Sequence, residues 1–143
     1  MLFTTLELAR AANQNSAHVF VNNVSRYAIK LDQPIRVGSE KHWPDTALAQ
    51  AVILGRLDAL GVPKSKQPDL LSRVDHVALR HALEQLDAGE IGAVIVGIAS
   101  FDELEDFSGV FTSSADAVAA LDEADMILLD VGGYLQARWR GYM

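Results

Sequence analysis

A chain of 143 residues with no cysteine, half of them hydrophobic and 22% charged, has enough apolar side chains for a buried core and no thiols for a disulfide framework or a thiolate metal site. Its formal net charge of −7 counts against a nucleic-acid partner, because affinity for DNA rests on cations that neutralise phosphates. The longest apolar stretch, AVIVGIA at 93–99, falls far short of the roughly 20 residues of a membrane span. No basic, apolar leader-like opening precedes it, so the expected compartment is the cytoplasm with no membrane partner. The charge is uneven, however. Residues 1–66 carry eight Lys/Arg against five Asp/Glu, net +3, while residues 67–143 carry four against fourteen, net −10. A solvated acidic face accounts for the back; the basic front is compatible with DNA.

In chain order, Thr4 or Thr5 caps a helix on which Leu6, Leu8, Ala9 and Ala12 recur at helical spacing. Glu7 lies near its positive end and Asn13 stops it. The next stretch admits two readings. SAHVFVNNVSRY, residues 16–27, makes a polar-faced helix, whereas HVFV and RYAIKL are β-branched and alternating enough for two strands. DQPIRVGSEKHWP, with Pro34, Gly38 and Pro44, reads as a short hairpin or extended loop. Residues 45–61 form the clearest helix: an Asp45 cap, a stripe of Leu48, Val52, Ile53, Leu57 and Leu60, and a stop at Gly61 and Pro63. A short helix in KSKQPDLLSRV follows, then one over 73–88 with Val77, Leu79, Ala82, Leu83 and Leu86 on its apolar face and Gly89 at its end. The period then changes to a buried strand at 91–100 and a capped helix from Ser113. MILLDVGGYLQARW, residues 126–139, reads as two strands around a Gly132-Gly133 turn. No repeat or low-complexity linker appears, so any boundary near 66–72 is soft.

This order of elements, with TTLELARAA at the first helix and WPDTALAQAVILGRLDALGVP after the hairpin, resembles the winged-helix domain of MerR-like regulators and the related phage excisionases. The resemblance covers residues 3–66. It implies an N-terminal winged helix-turn-helix DNA-binding domain over 1–66; the elements and charge of residues 67–143 read, outside the resemblance, as a small acidic α/β dimerisation or partner-binding domain, so the expected fold class is α+β. The resemblance also implies a transcriptional regulator that binds double-stranded DNA and is not an enzyme. The Arg26-Tyr27 pair matches the family's Arg-Tyr-Tyr-like triplet but comes later in the chain. The recognition helix therefore begins at Ser16 with altered residues, or an insertion precedes a helix around Asn22 to Lys30. The family's long dimerisation helix has no counterpart.

A recognition helix needs short polar side chains that reach base edges. Asn15, Ser16, His18, Asn22, Asn23, Ser25, Arg26 and Tyr27 are the candidates, with Lys30, Arg36 and Lys41 as phosphate contacts beside the groove. Arg26, Arg36 and Lys41 are expected on one face. A surface loop rich in turn-tolerant Asn is the plainer account of the same residues. The expected assembly is a homodimer, joined through the apolar face of residues 77–86 and the last hairpin with Trp139 and Tyr142. If residues 18–31 are strands instead, the chain is one small acidic α/β module that binds a basic protein, as immunity or adaptor proteins do. No cofactor or metal is expected. His76 and His81 stand five apart, off the i, i+4 spacing of a helical zinc pair, and FDELEDFSG at 101–109 lacks the spacing of a calcium loop. No phosphate-binding or nucleophile-elbow motif occurs.

Overall fold

The computed structural model describes residues 1–99, 108–122 and 126–141. It is α+β and divides into two compact units, Met1–Ser72 and Arg73–Met143.

The first unit begins with a two-residue strand, β1 (Phe3–Thr4), that runs directly into α1 (Thr5–Ala11). Thr4 closes a capping box: its hydroxyl accepts from the Glu7 amide at 3.2 Å, and the Glu7 carboxylate accepts from the Thr4 amide at 3.2 Å. The ambiguous stretch is a helix, α2 (Ala17–Arg26), capped by the Ser16 hydroxyl on the Val19 amide. Strands would have carried Phe20 and polar His18 on the same face of a sheet. The helix instead turns Phe20 alone into the core, 2% exposed, and leaves His18, Asn22 and Ser25 in solvent. Asn13, in the left-handed region at φ 60°, reverses the chain between the helices, and its amide donates to the Gly55 carbonyl at 2.8 Å.

Strands β2 (Ile35–Val37) and β3 (Glu40–Trp43) form the expected hairpin, and β1 pairs with the other edge of β3, all antiparallel. The Trp43 indole N–H donates to the Thr5 hydroxyl at 3.0 Å and ties the hairpin to α1. Helix α3 (Asp45–Ala59) is the axis of the unit, buried almost all round from Thr46 to Leu57. Two expectations are corrected here. Pro44, not Asp45, holds the capping position, with no side-chain bond, and Asp45 is the first helical residue; Leu60 lies outside the stripe, 60% exposed. Gly55 lets α3 press against α1, since a Cβ there would collide with the Ala11 carbonyl oxygen. The short helix α4 (Gln67–Ser72) completes the unit. Its buried Gln67 donates to Val62 O and to the Asp58 carboxylate, which also pairs with Lys64 at 3.2 Å.

The second unit holds α5 (His76–Asp87), β4 (Ile95–Ala99), β5 (Ser108–Phe111), α6 (Ser114–Ala120), β6 (Met126–Asp130) and α7 (Gly132–Trp139). The sheet has the order β5-β4-β6 and is antiparallel at both pairings. Asp75 caps α5, accepting from the Val77 and Ala78 amides. Leu79, Ala82, Leu83 and Leu86 are buried in the core of this unit with Val94, Val96, Ile98 and Leu135, whereas Val77 faces solvent, 77% exposed. The face of residues 77–86 expected to join two copies is therefore consumed within the chain.

The expected hairpin at 126–139 is also overturned. Gly132-Gly133 opens helix α7 rather than a turn. A Cβ on Gly132 would lie 2.7 Å from the Val94 amide nitrogen, and the Asp130 carboxylate accepts from the Gly133 amide at 3.2 Å. Close packing and a cap, rather than a primed turn, account for the glycine pair. Tyr142 and the carboxylates of 101–107 lie outside the described residues. Among the described residues no helix is long and apolar enough to cross a membrane, and no group of three or more His, Asp or Glu is placed to hold a metal ion.

Candidate nucleic-acid interface

The hairpin decides where the cations go. Residues opposite one another on antiparallel strands share a face, and the register pairs Arg36 with Lys41. Glu40 and His42 alternate to the other face, where they lie 3.6 Å apart. Arg36 and Lys41 thus stand side by side, both exposed, with no carboxylate paired to either among the described residues. They line an open groove of about 680 Å³, whose remaining walls are Val24 of α2, the segment Ile29–Leu31 including Lys30, Gln33, Pro34 and Trp43. The segment is anchored from below, where the Asp32 amide donates to the buried Gln50 side chain at 2.7 Å. Left-handed Ala28, φ 52°, turns the chain out of α2 into it.

Arg26 does not join this group. It is two residues from Val24, about 160° away around the helix, so it emerges from the opposite flank of α2. Its guanidinium lies 5.6 Å over the Tyr27 ring. The cations are divided between two flanks of one helix: Lys30, Arg36 and Lys41 on the groove side and Arg26 on the other.

Between the flanks lies the outer arc of α2. His18, Asn22 and Ser25 are exposed at its centre, and the Asn22 amide and the His18 imidazole are hydrogen-bonded at 3.2 Å. Asn15 is exposed in the turn before it. The remaining sequence candidates serve the fold. The Ser16 hydroxyl is occupied as the cap of α2, and the half-buried Asn23 amide donates to Gln14 at 3.2 Å. Tyr27 closes the helix and lines a small, partly open cleft with Phe20, Leu54 and Gln67. Val19 and Val21, 43% and 47% exposed, also lie on the outer side of α2. Sequence reading passed them over, because the FV alternation hides which valine faces outward until the helix and its Phe20 anchor are known. No family model, curated protein or solved structure matches this chain.

Proposed function

We propose that the chain is a DNA-binding transcriptional regulator whose first unit acts as a MerR-like winged helix. Helix α2 is the recognition helix, and the β2–β3 hairpin is the wing that grips the phosphate backbone. The observation that carries this reading is the Arg36–Lys41 pair. Like charges directly opposite on a hairpin destabilise it, yet here they stand side by side next to Lys30, facing an open groove in a chain of net charge −7. A polyanion is the ligand that turns that repulsion into binding. Between Glu7 and Asp32 the sequence has no carboxylate, so α2 reaches a polyanion without repelling it.

The regulator acts as a homodimer in this proposal, because one winged unit spans only a short half-site and paired half-sites raise affinity. Fluorescence anisotropy with random-sequence duplex DNA between 50 and 200 mM salt tests the reading. With three to five phosphates neutralised, log K falls against log salt with a slope of about −3 to −5. No salt-dependent binding to any duplex would remove the regulator reading and leave a basic protein as the partner of the acidic second unit. Light scattering checks the dimer separately.

A further inference from the structure

The outer arc of α2 carries a particular base chemistry. At 100° per residue, His18, Asn22 and Ser25 lie at its centre, with Val21 on the groove side and Val19 on the Arg26 side. The hydrogen bond between the Asn22 amide nitrogen and the His18 ring fixes the amide orientation while using only one of its two N–H groups. The Asn22 side chain is exposed and has no other hydrogen bond among the described residues, so the second N–H and the carbonyl oxygen are open to a partner, a donor and an acceptor on one amide. In the major groove that pair matches adenine, whose N7 accepts and whose N6 amino group donates.

The valines complete the match. Phe20 is the buried residue of α2, so the methyl groups of Val19 and Val21, 43% and 47% exposed, are left in solvent on an otherwise polar face. The apolar group that the major groove offers is the C5-methyl of thymine.

We propose that α2 reads A·T base pairs in the major groove, with Asn22 bonded bidentately to adenine, His18 as its positioning residue, and Val19 and Val21 packed on thymine methyls. This rests on the DNA-binding reading above and extends it to the sequence recognised.

The test uses the full chain. Bound duplexes are selected from a random-sequence pool, and the selected site is remade with deoxyuridine for thymidine, which removes only the methyl, or with 7-deazaadenine for adenine, which removes only N7. The selected site contains A·T pairs. Each deoxyuridine at a contacted position weakens binding about four-fold, and 7-deazaadenine at the Asn22 position weakens it about ten-fold. Val21→Ala abolishes the response to deoxyuridine at one position, and Asn22→Ala abolishes the response to 7-deazaadenine. His18→Ala reduces that second response. The salt dependence stays the same in all three exposed-site variants, with unchanged circular dichroism. A site that the wild type binds equally well after both base replacements overturns the inference and leaves DNA binding intact, as does an Asn22→Ala variant with undiminished response to 7-deazaadenine. Absence of binding to every duplex overturns both.

Discussion

Gly55 and Asn13 occupy one joint in the first unit and show how little of such a joint can be read locally. Adding a methyl at Gly55 drives a Cβ into the Ala11 carbonyl oxygen. Because that obstacle is backbone, Gly55→Ala costs on the order of 1 to 3 kcal/mol or more, measured as a lower urea midpoint. Asn13→Ala removes the 2.8 Å bond to the Gly55 carbonyl and leaves an alanine at φ 60° without that bond to support it. The expected loss is about 1 to 3 kcal/mol, with Asn13→Gly recovering the backbone part. Asn13 was legible as a helix stop, but its partner lies 42 residues away in the sequence and no local pattern points to it. The candidate site shows the same division. Exposed His18, Asn22 and Ser25 follow from polarity and period once α2 is a helix, whereas the structural duties of Ser16 and Asn23 depend on neighbours that the residue types do not announce.

Among the elements, the hairpin and α2 respond to substitution in opposite senses. Lys41→Ala relieves the repulsion from Arg36 and stabilises the first unit by roughly 0.2 to 1 kcal/mol, while it weakens binding to all duplexes and lowers the salt slope by about one unit. A thermal melt and a salt titration on the same variant check both halves. Loss of stability together with loss of binding would mean that the pair is structural. Ser16→Ala removes the cap of α2 and costs about 1 kcal/mol with no change in base preference, as chemical denaturation and selection from a duplex pool will show. The N-cap at Thr4 or Thr5, the helix over 45–61 and the hairpin signal of Gly38 were legible because each is a local agreement of side chain and backbone, although the reciprocal Thr4–Glu7 pairing was not read. The Gly132-Gly133 pair misled for the complementary reason. Its turn chemistry is local, but the contact that demands a small residue at 132 is with Val94, the residue just before β4.

At the level of the whole molecule, the two units carry opposite charge. Met1–Ser72 has eight Lys/Arg and six Asp/Glu, net +2, and Arg73–Met143 has four and thirteen, net −9. A fragment of residues 1–72 is therefore expected to bind non-specific duplex more tightly than the full chain at low salt, with the gap narrowing as salt rises. Competition assays at two ionic strengths measure this. That a basic front precedes an acidic back was plain from counting; which cations stand together was not, because it depends on the strand register that sets Arg36 beside Lys41. The same pair has a kinetic consequence. In the proposed regulator at low salt, where charges act over about 30 Å at 0.01 M, approaching DNA is repelled by the net charge of −7 before it comes close enough to meet Lys30, Arg36 and Lys41. Added salt thus lowers the barrier to encounter while it loosens the grip after contact, so both the association and the dissociation rate constants rise with ionic strength. Most DNA-binding proteins, drawn in by a basic surface, lose association rate under the same change.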